Sequence, residues 1–277
     1  MTPQFSAPYD WNAVTKTTQT SGAAILSDIL SNEELSRVND DVDAYLAEQS
    51  DYRPTTSSGS YNDFLGHNTI RLHGLLEKLP SAPSVLFNPE LLSWVDEMIA
   101  PIASNAIINA GELIQIQPGE PRQAAHRDSD SWPMPLTETP CVVNVIFALD
   151  DFTLENGATW IVPNSWSWPK ERRAAAQDYT RAVMKAGDAI IFRGDLIHRG
   201  GANSSTHPRR AISISYCAGW LRTVESSFLN LKRSTVQALA PEHRSMLGFS
   251  AYDGEAHHSG MLGLYENGDP ARWFDHS

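Results

Sequence analysis

The sequence is poor in cysteine and has no long apolar run. Its two cysteines among 277 residues, Cys141 and Cys217, each stand inside an apolar, strand-like segment and share no C-x-x-C spacing. We interpret them as small buried residues of a reducing compartment rather than a disulfide or a zinc site. The apolar runs are far shorter than the roughly 18 residues of a membrane-spanning helix, and the first residues lack the basic and apolar regions of a signal peptide. We therefore expect a cytoplasmic protein without a membrane partner.

Basic residues are also scarce, because 21 Lys and Arg stand against 33 Asp and Glu and give a formal net charge of −12. Nucleic-acid binding draws on clustered Lys and Arg, so this balance argues against a nucleic-acid partner. Jelly rolls and barrels of about 200–250 residues fold as single units. We expect residues 1–277 to form one domain, and we consider a homodimer as a candidate assembly of this domain.

Two kinds of periodicity divide the chain. Ser31 and Glu34 form a capping-box pattern, and apolar residues at helical spacing follow as far as Leu46. The same spacing predicts helices over 89–102 and 234–247. Between them lie short β-rich runs separated by Gly, Pro, Asn and Asp, at 106–110, 112–117, 141–149, 159–162, 182–184, 189–192 and 211–216. This pattern predicts a mainly β fold with flanking helices, a closed or double-sheet antiparallel core over about 105–220, a helical N-terminal part and a C-terminal extension.

Three residues have the types and spacing of a metal site. His126 and Asp128 are two apart in a segment predicted to be extended, where side chains alternate between faces and residues two apart share one. His198 follows an apolar run and a turn, 72 residues later. Two imidazoles and one carboxylate form the facial triad of non-haem Fe(II) oxygenases, which leaves coordination positions open. We predict a metal site of His126, Asp128 and His198.

An arginine follows the second histidine at Arg209, eleven residues on. A guanidinium holds a carboxylate through two parallel hydrogen bonds, so Arg209 is a natural anchor for a dicarboxylate. Arg210 is its rival, and alternation along a strand allows only one of them to face the cavity. The count from His198 favours Arg209.

These motifs, with Glu155-Asn-Gly-Ala-Thr159, His198-Arg-Gly-Gly-Ala-Asn203 and Pro208-Arg-Arg210, resemble the phytanoyl-CoA dioxygenase-like branch of the Fe(II)/2-oxoglutarate oxygenases. The resemblance runs from about residue 21 to 249 and is strongest over 115–216. It implies a double-stranded β-helix, a cupin-like jelly roll. It implies Fe(II) held by His126, Asp128 and His198, with 2-oxoglutarate and O2 as cosubstrates, and 2-oxoglutarate held by Arg209 with help from Gln123 and Thr159.

The two helper residues and the substrate side are less constrained. Gln123 lies three before His126, so an ideal strand would turn it away, and it is either a turn residue or an amide brought round by a bend. Thr159 opens a strand after a Glu-Asn-Gly turn. Candidates for the substrate side are Asn144, Phe147, Trp132, the 50–66 loop around Tyr61, and His67 and His73 beside Arg71.

The aspartate at position 128 narrows the range of reactions that the resemblance implies. Related halogenases have a small residue in place of Asp128, so this chain favours hydroxylation, desaturation or ring formation. Residues 40–66 hold one arginine, no lysine and six acids, a poor match to the phosphates of an acyl-CoA. We predict oxidation of a largely apolar small molecule of specialised metabolism. The alternatives are an acyl-CoA 2-hydroxylase of phytanoyl-CoA type, a zinc hydrolase, and a non-catalytic metal-binding jelly roll.

Overall fold

The computed structural model describes residues 1–48, 59–133, 135, 138–253 and 260–275. The strands are β1 (Gln4–Ser6), β2 (Ala23–Ser27), β3 (Thr69–Leu72), β4 (Ala106–Ile116), β5 (Val142–Ala148), β6 (Thr159–Ile161), β7 (Thr180–Ala182), β8 (Ala189–Arg193), β9 (His198–Arg199), β10 (Arg209–Ala218), β11 (Tyr252–Asp253) and β12 (Met261–Leu262). The helices are α1 (Trp11–Ser21), α2 (Asn32–Glu48), α3 (Gly59–Leu65), α4 (Leu75–Lys78), α5 (Ala82–Leu86), α6 (Pro89–Ile99), α7 (Ser227–Asn230), α8 (Arg233–Ala238) and α9 (Pro241–Met246).

A seven-stranded sheet in the order β1-β2-β8-β5-β10-β4-β3 forms the framework. Its pairings are antiparallel except for β1 with β2. The strands are rich in β-branched residues, which suit a pleated surface that is buried on both faces. Because side chains alternate along each strand, every strand contributes one row of residues to each face of the sheet.

The helices cover one face of this sheet. Val38 and Val42 of α2 and Trp94 of α6 are buried in the main apolar core, together with Phe147 of β5 and Ile191 of β8. The helical spacing of the apolar residues in α2 and α6 gives each helix one apolar side, and burying that side against the sheet stabilises both elements. The core therefore lies between the helices and the sheet.

The other face meets a three-stranded sheet in the order β7-β6-β9. A second apolar cluster joins the two sheets, with Ile146 and Phe192 from the large sheet facing Ile161 and Ala182 from the small one. Two facing sheets with helices packed outside are the architecture that the sequence predicted. Among the described residues, none of the helices combines the length and the apolarity that crossing a bilayer requires.

The predicted capping box is confirmed. Glu34 accepts the Ser31 backbone N–H at 3.0 Å, and Ser31 Oγ accepts the Glu34 N–H at 3.2 Å. The predicted continuous helix over 234–247 is wrong, because α8 ends at Ala238 and α9 begins at Pro241. Proline lacks a backbone N–H and clashes with the preceding turn, but it is tolerated in the first turn of a new helix.

Two further predictions from the sequence concern the β runs at 106–117 and the loop at 50–66. The two β runs predicted over 106–110 and 112–117 form one strand, β4, whose register with β10 shifts at Ser215 and Tyr216. Residues 50–58 of the loop predicted to cover the cavity lie outside the described residues, and residues 59–65 of that loop form α3.

Both cysteines are free, and burial raises the pKa of Cys141 to about 11, as expected of unreactive thiols.

Candidate active site

The two histidines of the predicted triad lie opposite each other on neighbouring chain segments. His126 forms an isolated antiparallel bridge with His198 at the start of β9. The His126 N–H donates to the His198 carbonyl at 3.1 Å, and the His198 N–H donates back at 3.0 Å. Directly opposite residues in an antiparallel pair project from the same face. The backbone pairing therefore brings two side chains 72 residues apart together, with ring centroids 4.2 Å from each other.

Asp128 completes the group in a way that the sequence did not predict. It begins a 3-10 helix, Asp128–Ser131, instead of continuing an extended strand. Its Oδ1 lies 3.4 Å from His126 Nε2, and its Oδ2 lies 3.6 Å from His198 Nε2. One ligand atom from each of the three residues lies within 4.8 Å of the others. The chain turn after Arg127 therefore produces the convergence that was expected from strand alternation.

Backbone contacts set the orientation of both imidazoles. His126 Nδ1 lies 3.1 Å from the Ala124 carbonyl, and His198 Nδ1 lies 3.0 Å from the Leu196 carbonyl. A carbonyl can only accept, so each Nδ1 carries the proton and each Nε2 presents a lone pair to the shared space. This is the tautomer that a metal-binding histidine needs.

The electrostatics favour a neutral histidine beside a charged carboxylate. Burial, with the neighbouring imidazole of His126, lowers the pKa of His198 to about 4. Burial alone would raise the pKa of Asp128, but the imidazoles of His198 and His126 and the amide of Asn144 outweigh it and lower that pKa to about 2. At neutral pH His198 and Asp128 therefore have the protonation states that metal ligands need.

Asn144 on β5 holds the carboxylate in place, because its Nδ2 donates to Asp128 Oδ2 at 2.8 Å. Groups that orient a metal ligand commonly contribute about 10–100-fold to metal affinity. We expect Asn144→Leu to weaken Fe(II) binding by about that factor, measured by anaerobic titration. Asn12→Leu on the exposed side of α1 is the control, and equal affinities in the two variants would contradict this role of Asn144.

A cavity of about 500 Å³ opens between the two sheets. All six residues predicted for the site line this cavity: His126, Asp128, His198, Arg209, Gln123 and Thr159. Its apolar lining includes Ile114, Ile146 and Phe192. The sequence therefore identified residues that converge on one space, although they come from four separate segments.

Arg209 lines the cavity as a buried cation. It is 3% exposed, its Nη2 donates to the Gly157 carbonyl at 2.7 Å, and its guanidinium lies 4.1 Å from the Phe152 ring centroid. Its Nε has no hydrogen-bond partner, and burial lowers its pKa to about 9. Among the described residues, no carboxylate forms an ion pair with it. A buried charge left this way is costly, so the cavity suits an anionic group at this end.

Arg210 points away from the cavity. Its Nη2 forms an ion pair with Asp43 Oδ1 at 2.7 Å, and its Nε donates to Gln115 at 2.6 Å. The structure therefore brings Arg209, and not Arg210, into the cavity.

Gln123 and Thr159 lie at the wall of the same space. Gln123 exchanges two hydrogen bonds with Gly200, whose N–H donates to the side-chain Oε1 at 3.1 Å and whose carbonyl accepts the Gln123 N–H. This pairing fixes Nε2 as the free end of the amide, and one of its N–H groups reaches the Phe64 carbonyl at 3.3 Å. Thr159 is buried at the start of β6, opposite Ala182. Gln123 lies in a segment without regular secondary structure rather than on an ideal strand, and it lines the cavity.

Residues 18–211 match the family model described as Phytanoyl-CoA dioxygenase (PhyH). The chain belongs to the phytanoyl-CoA dioxygenase family. Similar proteins include the iron/alpha-ketoglutarate-dependent dioxygenase penM of Penicillium thymicola, 28% identical over 255 residues that cover 89% of this chain and 80% of penM. Dioxygenase andF of Emericella variicolor is 29% identical over 259 residues, which cover 87% of this chain and 86% of andF.

Solved structures confirm the jelly-roll fold. The non-heme alpha-ketoglutarate-dependent carbocyclase SnoK from nogalamycin biosynthesis superposes with a TM-score of 0.62 at 18% identity, covering 79% of this chain and 90% of SnoK. The epimerase SnoN from the same biosynthesis gives a TM-score of 0.61 at 15% identity, covering 76% and 81% of the two chains. This member of the phytanoyl-CoA dioxygenase family is an Fe(II)- and 2-oxoglutarate-dependent dioxygenase.

Sequence reasoning placed some residues wrongly around the site. Phe147 lies in the helix-side core and Trp132 in a small separate cluster, so neither lines the cavity. It also missed Phe64 of α3, whose ring packs edge-on against His126 with centroids 4.8 Å apart. A phenylalanine in a polar loop was the available signal, but its position depends on how α3 folds over the strands.

Proposed function

We propose that His126, Asp128 and His198 hold Fe(II) and that Arg209 binds the far carboxylate of 2-oxoglutarate. The observation that carries this proposal is the buried, unpaired guanidinium of Arg209 in the same cavity as two histidines and an aspartate. A zinc hydrolase or a metal-binding scaffold would have no need of such a cation. An oxygenase that uses a dicarboxylate cosubstrate does.

The donor set fits Fe(II). Two imidazoles and one carboxylate lie close enough together to share one ion, and this is the ligand set that non-haem Fe(II) oxygenases use. With 2-oxoglutarate and O2, the iron supplies an oxidant able to remove hydrogen from an unactivated carbon. The protein's own contribution is to orient the ligands through Ala124, Leu196 and Asn144.

We assign 2-oxoglutarate binding to Arg209, Thr159 and Gln123. The guanidinium of Arg209 retains N–H groups beyond the one given to Gly157 and can bind a carboxylate through two of them. Thr159 offers a hydroxyl from the same wall. The amide nitrogen of Gln123 has two N–H groups, and only one is used by Phe64. The other has no acceptor among the described residues and can donate to the cosubstrate.

For the substrate we propose a small molecule of specialised metabolism, oxidised by hydroxylation, desaturation or ring formation. No lysine is among the described residues that line the cavity. Five arginines are among these lining residues: Arg71, Arg122, Arg127, Arg199 and Arg209. Arg71 is paired with Glu112, Arg127 donates to the carbonyls of Asp195 and Ser165, and Arg199 lies over the Trp160 ring. The preference for a small molecule therefore rests on residues 40–66, which hold one arginine, no lysine and six acids, and the acyl-CoA 2-hydroxylase is the alternative.

We also propose that residues 1–277 act as one domain, because the large sheet draws on strands from both ends of the region between Gln4 and Ala218. The two free cysteines support a reducing compartment such as the cytoplasm.

Anaerobic addition of Fe(II) and then 2-oxoglutarate tests the assignment of the metal site. We expect a weak visible charge-transfer absorption, because the cosubstrate chelates the iron. Zn(II) in place of Fe(II) is the control and should give no band. A protein that binds Fe(II) but gives no band with 2-oxoglutarate would contradict the proposed function.

A further inference from the structure

The cavity floor can be mapped from the register of β10. Arg209, Ser213 and Ser215 line the cavity, while Ile212 and Ile214 between them are buried in the helix-side core. Odd-numbered residues of this strand therefore face the site, and two residues along an antiparallel strand advance by about 7 Å. Ser213 lies between the Arg209 end of the cavity and the level of Ser215.

Along β10, Ser215 lies next to the proposed metal site, because Ser215 is paired with Asn144 of β5 and Asn144 donates to Asp128. Ser213 is one step nearer to Arg209. Ser213 belongs to the large sheet, whereas His198 belongs to the small one. A molecule lying against Ser213 would therefore pass between the metal ligands and the floor of the cavity.

A charged pair lies beside Ser213 on the same face. Glu112 of β4 is directly opposite Ser213, and Arg71 of β3 donates from Nη1 to Glu112 Oε1 at 2.7 Å. The Arg71 Nε is held by the Leu65 carbonyl at 3.0 Å. We call Arg71, Glu112 and Ser213 the polar floor. All three line the cavity, although strand neighbours on the same face, such as Ile114, are apolar.

The polar floor has unused hydrogen-bonding capacity. Among the described residues, the Ser213 hydroxyl has no hydrogen-bond partner, and the second Glu112 oxygen lies 3.6 Å from His73 Nε2, beyond a normal hydrogen bond. The side chains of Arg71 and Glu112 are only 10% and 19% exposed. A pair needed only to join β3 to β4 could be replaced by apolar residues at little cost. Its place on the cavity wall points to a ligand.

The chemistry of the three groups selects among ligands. Glu112 accepts hydrogen bonds, Arg71 donates them, and Ser213 does either. An alcohol can donate to Glu112 and accept from Arg71 or Ser213 at once. A ketone can only accept hydrogen bonds. A hydrocarbon would desolvate all three groups without forming a hydrogen bond with any of them.

We propose that the polar floor binds a hydroxyl group of the substrate beside the iron, so that the substrate is an alcohol with an apolar body. This inference rests on the proposed function and names its substrate class. It amends the largely apolar molecule that the sequence suggested. The apolar body has Ile114, Ile146 and Phe192 to contact, and the hydroxyl fixes which carbon faces the metal.

Three probes of one shape test the proposal: cyclohexanol, cyclohexanone and methylcyclohexane. Each is titrated anaerobically into the enzyme loaded with Fe(II) and 2-oxoglutarate, and binding is read from the change in the visible absorption band. We expect cyclohexanol to bind about 10-fold more tightly than methylcyclohexane, since one net hydrogen bond to a charged group has about that effect, with cyclohexanone between them.

The variants Ser213→Ala and Glu112→Gln should each bring the alcohol and the hydrocarbon to within about threefold of each other. Ser215→Ala is the matched control, because it lies on the same face of β10 and its hydroxyl already accepts from Asn109 at 3.1 Å. It should keep the wild-type preference. Thermal unfolding checks that each variant folds, and Ser213→Ala decides the question if Glu112→Gln does not.

The outcomes separate this inference from the function on which it rests. Absence of the absorption band in the wild type contradicts the proposed function and the polar floor with it. A normal band with equal binding of alcohol and hydrocarbon, no response to any probe, or a preference that survives in Ser213→Ala overturns the polar floor alone.

Discussion

Replacing His198 by alanine is expected to abolish substrate-dependent succinate formation from 2-oxoglutarate. The imidazole is 6% exposed, its Nδ1 is fixed by the Leu196 carbonyl, and its Nε2 is one of three donors that converge on one point. Removing one donor of a three-residue site leaves two, which is too few to hold Fe(II) with coordination positions open for the cosubstrates. The same loss is expected for His126→Ala and Asp128→Ala. Succinate release and bound iron are measured on the same preparations.

His207→Ala is the matched control for His198→Ala. His207 is an exposed histidine nine residues further on, so its loss should change neither iron content nor succinate release. The fold of the triad variants should persist, because the three side chains border a cavity rather than fill the core, and thermal unfolding can verify it. Full turnover in any one of the three variants would remove that residue from the proposed site.

The sequence was informative about the proposed metal site because two of its three proposed ligands are close together in the chain. His126 and Asp128 are two residues apart, and a turn or a strand brings such a pair together. His198 needed the pairing of β9 with the segment around His126, and only the motif around it made that pairing predictable. Alternation along a strand allowed only one of Arg209 and Arg210 to face the cavity, and the count from His198 favoured Arg209. The pairing of β10 with β4 is regular at that end.

Other features depended on sheet register, which periodicity does not give. Arg71 and Glu112 are 41 residues apart, and nothing local shows that β3 lies beside β4. Asn144 was a candidate for the substrate side, but the structure pairs its side chain with Asp128, which lies on another segment. The break at Pro241 was predictable from local chemistry, and the apolar spacing on both sides concealed it.

Arg209→Met is expected to raise the 2-oxoglutarate concentration needed for half-maximal succinate formation by about 10–150-fold. Hydrogen bonds to a charged group are worth about 1.5–3 kcal/mol, and each 1.4 kcal/mol is about a factor of ten in affinity. Methionine keeps the length of the side chain and removes the charge. Initial rates of succinate release over a wide range of 2-oxoglutarate concentrations give the shift directly.

Arg210→Met is the matched control on the next residue. Its guanidinium is bound to Asp43 and Gln115 on the far side of β10, so the variant should need no more 2-oxoglutarate than the wild type does. A shift in Arg210→Met with none in Arg209→Met would contradict the assignment and exchange the roles of the two residues.

The unfolding temperature in the absence of 2-oxoglutarate gives a second measurement of the role of Arg209. Burial of an unpaired guanidinium is costly, and it lowers the pKa of Arg209 to about 9, so Arg209→Met should unfold at the same temperature as the wild type or higher when 2-oxoglutarate is absent. A ligand that binds only the folded state stabilises it in proportion to the logarithm of its concentration above Kd. Adding 2-oxoglutarate with Zn(II) should therefore raise the unfolding temperature of the wild type and leave that of the variant almost unchanged. A variant that is destabilised without the ligand and still stabilised by it would show that Arg209 supports the fold and not the cosubstrate.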